Sequence, residues 1–157
     1  MTRQPLDVER VLTTLARHEV RYLVVGGIAA ILHGWPGATA DLDLLGSCDT
    51  DNFDRLAAAL RDLDAHGEGW DGEPDSIGRV TAWSLETDAG PVDLLFVLDP
   101  HGTYEELRAT AVDLDGFGIS IPVVSLDDLI DLKRALGRPK DLRVAVELED
   151  LRRQRDR

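Results

Sequence analysis

Apolar residues recur along this chain with two periods, and the switches between them predict most of its elements. From Leu6 to Leu15 the apolar positions Leu6, Val8, Val11, Leu12 and Leu15 mostly follow helical spacing, and Asp7 and Glu9 are acids in the first turn. A helix through about Arg17 follows. Tyr22 to Val25 is a β-branched and aromatic run that reads as a strand ended by Gly26-Gly27. Ile28 to Leu32 predicts a short helix that stops near Gly34 and Pro36, and Leu42, Leu44 and Leu45 mark the next strand. Thr50 or Asp51 is expected to cap a helix to about Leu63, with Phe53, Leu56, Ala57 and Leu60 on its inner face. Residues 64–78, rich in Gly, Asp and Glu, read as a loop.

Val80 to Leu85 predicts a strand, which Gly90-Pro91 turns into Val92 to Leu98, a near-continuous apolar run typical of buried strands. Tyr104 to Ala111 reads as a short helix. Phe117, Ile119, Ile121 and Val123 alternate as a strand, and Pro122, which has no N–H to donate, places it at a sheet edge. Ser125 followed by Asp128 is close to a capping box, with Asp for the usual Glu or Gln, and opens a helix from Leu126 to Leu136 that ends at Gly137. Pro139 starts another that reaches about Leu151, with a charged tail expected to fray. The order α-β-α-β-α-β-β-α-β-α-α, without internal repeat or linker, predicts one α/β (α+β) domain over residues 1–157. Its mixed sheet and flanking helices would occupy about 20–124 and a C-terminal helical pair about 125–152.

Composition narrows the partners. With 157 residues and 43% apolar content, the chain can bury a real core. A formal net charge of -13 disfavours non-specific binding to DNA, RNA or anionic membranes, while leaving room for a local basic groove or a basic partner protein. Cys48 is the only cysteine, so no intrachain disulfide forms, which fits a reducing compartment. No stretch approaches the roughly 18 apolar residues of a spanning helix, and MTRQPLDVER has no signal-like apolar core. A soluble cytoplasmic protein is expected.

The candidate chemistry lies in three aspartates. Asp41 and Asp43 flank Leu42 at a strand start, so their carboxylates face one way. Two close anions resist joint ionisation, and a divalent cation removes that cost. Asp93 sits between Val92 and Leu94 in a buried-type run, where a charge is costly unless paired or metal-bound. Alone, an Asp-x-Asp is equally a surface strand end, and Gly26-Gly27 is more often a turn than a phosphate cradle. Together they point to nucleotidyl transfer: carboxylates converging on divalent ions, with bare backbone before a short helix admitting a triphosphate.

The stretch GGIAAILHGWPGATADLDLL resembles the signature of minimal nucleotidyltransferases of the polymerase-beta-like superfamily, and more narrowly the toxin-type members of abortive-infection and toxin–antitoxin systems. The matching residues are Gly26-Gly27, His33-Gly34 and Thr39-Ala40-Asp41-Leu42-Asp43, with Asp93 as the third aspartate and a basic late segment from Lys133-Arg134 to Gly137-Arg138-Pro139-Lys140-Asp141-Leu142. The similarity runs from Tyr22 to about Leu148. It implies a nucleotidyltransferase-like fold, catalytic and metal-binding roles for Asp41, Asp43 and Asp93, and Mg²⁺ or Mn²⁺ as cofactor. It also implies nucleotide contacts from Gly26, Gly27, Thr39, Lys133, Arg138 and Lys140.

The activity so implied moves an NMP from an NTP such as ATP to a hydroxyl of tRNA, a protein or a small molecule, with a cognate antitoxin as a possible partner. Lys133 is the leading triphosphate contact, against a solvated helix face; Arg138 and Lys140 pair equally well with Asp141. Thr39 would orient Asp41. His33 reads either as a phosphate or acceptor contact or as a hydrogen-bonded structural residue. Trp35 reads either as a base-stacking platform or as core cover beside Pro36. Relatives commonly carry Arg where this chain has Gly37, and the acid that often follows Lys-Asp-Leu is replaced by Val144-Ala145. Those departures keep an alternative open: a degenerate transferase-fold module that binds nucleotide or a partner chain.

Overall fold

Strand residues that alternate faces leave a simple record of which face is covered. The computed structural model describes residues 3–98 and 102–157. Its elements are α1 (Val8–Arg17), β1 (Tyr22–Val25), α2 (Gly26–Leu32), β2 (Leu42–Gly46), α3 (Thr50–Asp62), α4 (Pro74–Ile77), β3 (Ala82–Thr87), β4 (Gly90–Leu95), α5 (Tyr104–Arg108), β5 (Val112–Gly116), β6 (Ile119–Val123), α6 (Leu126–Leu136) and α7 (Pro139–Arg155). The strands form one mixed sheet in the order β3-β4-β2-β1-β6-β5. β2 is antiparallel to β1 and parallel to β4, and β6 is parallel to β1. This is the α+β architecture expected from the element order.

β1 is buried throughout, and β2 and β4 are buried except at Asp43, Asp93 and Leu95. Central strands closed on both sides need helices over both faces. α1 packs with α3, while α2, α6 and α7 form a second group. Leu42, Leu44, Val92 and Leu94 point away from the aspartates into the core and are almost fully buried. The three partly open positions share the other face, because Asp43 and Asp93 are register partners and Leu95 lies two residues on. The core thus presses on one side of β2 and β4 and leaves a cleft on the other.

The helix ends show why these segments are helical. The Asp7 side chain accepts from the Arg10 N–H and caps α1; the Ser125 side chain accepts from the Asp128 N–H and caps α6. Gly137 takes a left-handed conformation that stops α6, and Pro139 then begins α7, so the two helices fold back as a pair. Buried Asn52 accepts from the Arg21 N–H and donates to the Arg21 and Ser47 carbonyls, tying α3 to the ends of β1 and β2.

Several expectations are corrected. The strand carrying Pro122 is not an edge: β5, missed in the sequence, lies outside β6 and forms the edge itself. The Val124 N–H donates to the Val24 carbonyl, and by the two-residue period the Pro122 nitrogen points the same way. The missing donor therefore shortens the β1–β6 pairing to Val24 and Val123 rather than ending the sheet. β5 carries only Val112 and Leu114 between Asp113 and Asp115, too little apolar signal without β6 beside it.

The diglycine does not precede α2 but forms its first turn. Asp49, not Thr50 or Asp51, is the N-cap of α3, and its carboxylate is taken by Arg21 at 2.9 Å instead of capping. The loop over 64–78 contains α4 and a His66–Glu86 bridge, with Trp70 edge-on to Trp83. β4 stops at Leu95, α5 stops at Arg108, and α7 continues to Arg155. The expected fraying of α7 is countered by Arg152, which reaches Asp127 of α6 at 2.8 Å, and by Arg155, which donates to the His33 carbonyl.

Candidate active site

Asp43 faces Asp93 across the β2–β4 pairing. Burial pushes the Asp43 carboxyl up most, followed by the Asp93 charge and a hydrogen bond shared with Asp93, with Asp41 adding and Lys133 opposing. The result is a pKa near 7, so near neutrality the pair retains a proton that isolated aspartates would have lost. A carboxyl pair of this kind can exchange a proton or take a divalent cation.

Two glycines make room for this pair. Gly26 has φ +69, and a Cβ there would lie inside the Asp43 carboxylate. At Gly27 a Cβ would come within 2.9 Å of the Thr39 side chain. The diglycine thus lets α2 begin directly against the Asp-bearing end of β2. Asp41 is only half covered, yet its Oδ1 is buried without a hydrogen-bond partner among the described residues. Among the described residues the nearest cation, Arg3, stands 3.8 Å away.

The opposite wall comes from α6 and α7. Lys133, largely buried on the inner side of α6, reaches the carboxylate of Asp141 at 3.6 Å. Asp141 also accepts from Arg138 Nε at 2.5 Å and lies 1% exposed in the first turn of α7. Burial works against the Asp141 charge, but the Arg138 hydrogen bond and the two cations outweigh it and hold its pKa below the ordinary aspartate range. Lys133 is therefore not on a solvated helix face. Arg138 does pair locally with Asp141, as one of its two readings required. Asp141 was overlooked as a site residue; its signal was an acid two positions after the Pro139 that starts a helix, close behind Arg138 and Lys140.

A cavity of about 480 Å³ is lined by Gly27, Thr39, Asp41, Asp43, Asp93, Lys133, Arg138 and Lys140, with Trp35 and Asp141. Gly26 lines an adjoining cavity, again with Asp43, Lys133 and Arg138. All the site residues picked from sequence therefore gather around one cleft, although they come from β1–α2, β2, β4 and α6–α7. His33 does not join them: it is buried, its Nε2 donates to the Val124 carbonyl at 2.8 Å, and burial first, then Arg155, hold its pKa low. Trp35 does line the cleft, with its indole N–H on Glu147 at 2.5 Å. Its ring covers the Cα of Gly37 so closely that any side chain at 37 would collide with it.

Among the described residues, no three His, Cys, Asp or Glu side chains form a ready-made metal cage. Mg²⁺ seldom uses one; it is held by one or two carboxylates, with substrate phosphates and water completing the shell. The carboxyl pair of Asp43 and Asp93 and the orphaned Oδ1 of Asp41 fit that donor set. Nor is any described helix long and apolar enough to cross a membrane.

Comparison with solved structures places this geometry in a known fold. The chain is similar to the lincosamide antibiotic adenylyltransferase LnuA with lincomycin bound, at a TM-score of 0.66 and 14% identity over 94% of this chain and 99% of that one. It is also similar to ANT(2″)-Ia in complex with adenylyl-2″-tobramycin, at 0.58 and 17% over 96% and 97%. A Thermotoga maritima nucleotidyltransferase candidate aligns at 0.60 and 17% over 95% and 90%. No family model matches the sequence, and no curated protein matches it. The chain has the minimal nucleotidyltransferase fold.

Proposed function

We propose that this protein is a nucleotidyltransferase that moves an NMP from an NTP, with ATP favoured, to a hydroxyl of a small molecule. The observation that carries it is the Asp43–Asp93 pair facing Lys133 across a cleft next to the diglycine turn. Asp41, Asp43 and Asp93 would hold Mg²⁺ or Mn²⁺, which supplies positive charge to the phosphates and offsets the carboxylates' repulsion. Lys133, pinned by Asp141, sets one fixed cation where charge grows on the phosphoryl oxygens. Gly26, Gly27 and Thr39 admit the triphosphate along bare backbone, and Arg138 and Lys140 flank its exit. The acceptor oxygen forms a bond to the α-phosphorus, and the bond from that phosphorus to the bridging oxygen breaks. Pyrophosphate departs, and the acceptor proton passes to the Asp43–Asp93 pair.

The solved neighbours that modify antibiotics support a small acceptor, as does the net charge of -13, which suits tRNA poorly. Trp35 packing on Gly37 gives the missing arginine a structural reason, and the three aspartates are intact, which favours an enzyme over a degenerate module. A toxin role with a cognate antitoxin, and a cytoplasmic location, rest on the sequence resemblance and on composition. Residues 1–157 would form one domain.

The test is incubation of the purified chain with each labelled NTP, Mg²⁺ or Mn²⁺, and cell extract. Label moving to a metabolite with wild type but not with Asp43→Ala supports the assignment. Nucleotide binding without any transfer would mark a binding module instead.

A further inference from the structure

Next to the carboxylate cleft lies a second cavity of about 360 Å³, large enough for a small organic group. Leu95, Val97, Leu98, Leu129, Leu132 and Leu136 supply its aliphatic walls. Its polar side chains among the described residues are Asp43, Lys133 and Arg138, and these also line the carboxylate cleft. The two spaces therefore meet at one wall, made by Asp43, Lys133 and Arg138. Val97 and Leu136 at the rim are 45% and 58% exposed, so the aliphatic wall runs out to the surface.

The lining decides what can fill this cavity. A nucleobase carries donors and acceptors on its edges, and burying them against leucines without partners is costly. An amine-bearing acceptor would meet the same walls and would have to shed its water against leucines. A saturated carbon skeleton loses nothing on entry and gains contact throughout. Building on the transferase assignment, we propose that the acceptor is an alcohol with an uncharged, mainly aliphatic body, seated in this cavity with its hydroxyl directed to Asp43. The NTP then occupies the carboxylate cleft, with Trp35 and Thr39 on its side. In the transfer, the alcohol oxygen bonds to the α-phosphorus, pyrophosphate leaves, and the alcohol proton goes to the Asp43–Asp93 pair.

The experiment gives the full chain Mg²⁺, α-phosphate-labelled ATP and one of three alcohols at equal concentration: glycerol, cyclohexylmethanol or 1,3-diamino-2-propanol. Ester formation with cyclohexylmethanol should exceed that with either other alcohol by about ten-fold or more. The double variant Val97→Glu/Leu136→Glu, altered only at exposed rim positions, should lose that advantage while its Kd for ATP stays within about two-fold of wild type. Equal rates with all three alcohols, preference for the diamine, or no ester with any alcohol while ATP still binds overturns the aliphatic acceptor and leaves the transferase assignment standing. A weakened ATP affinity in the double variant also overturns it, by assigning the cavity to the base. Failure of wild type to bind ATP at all would sink the transferase assignment itself.

Discussion

The Nζ of Lys133 lies 3.6 Å from the buried carboxylate of Asp141, and this contact joins α6 to α7 at the edge of the cleft. A lysine on a helix surface would wander through many rotamers; here one anion, itself held by Arg138, fixes where the charge sits. Asp141→Asn keeps the volume and removes the charge. It should cost on the order of 2 kcal/mol of stability, because two cations lose a buried partner. It should also weaken NTP binding while leaving the Asp43–Asp93 pair in place. Denaturant unfolding and an ATP titration on the same variant check both.

The pH dependence follows from Asp43. Its folded pKa of about 7 lies above the ordinary 3.8 of an exposed aspartate. Between those values the folded chain holds more protons than the unfolded one, so this group makes stability fall as pH rises. The penalty is absent below the lower value and complete above the higher. Asp43→Asn should therefore raise the unfolding free energy at about pH 8, by at most about 4 kcal/mol, and change it little near pH 4. Unfolding curves of both proteins at the two pH values give the comparison.

Divalent metal should act on the same pair with the opposite sign. If the aspartates take Mg²⁺, adding it offsets their repulsion, and its stabilisation grows with pH as protons stop competing. The Tm gain from millimolar Mg²⁺ should be larger at about pH 8 than near pH 5 and should vanish in Asp43→Asn. Equal gains at both pH values, or gains retained in the variant, would place the metal elsewhere.

Gly26→Ala adds one methyl group, inside the Asp43 carboxylate and at a positive φ. Both faults destabilise, by about 2 kcal/mol or more together, and transfer activity should be lost. Thermal unfolding and the labelled-NTP assay read the two effects.

Gly37 is constrained by a different neighbour. The Trp35 ring lies over its Cα, so Gly37→Ala should destabilise by roughly 1–3 kcal/mol in wild type. In a Trp35→Ala background the same change should cost almost nothing. A double-mutant cycle measures this, and additivity would show that the ring does not occupy that space.

Short-range signals carried much of this protein into the sequence. Ser125 capping α6, Gly137 stopping it and Pro139 restarting α7 are local events, and they stand as the residues predict. The buried β1 and the Asp-interrupted β2 and β4 were equally legible, since an aspartate between leucines has few places to go. β5 was not, because its alternating acids supply no apolar drive and only the β6 ladder makes it a strand. Pro122 misled for the converse reason: the rule that prolines seek edges concerns one missing donor, and a short pairing with β1 absorbs that loss.

The sequence by itself determined most of the element order, α4 and β5 excepted, and singled out the aspartates that the fold brings together, because helix caps, turn residues and strand periods act within a few residues. Only the tertiary structure decided that Asp43 meets Asp93, that Lys133 turns inward onto Asp141, and that an aliphatic cavity adjoins them. Those outcomes depend on strand order and helix docking between residues far apart in the chain, and no local pattern encodes a distance.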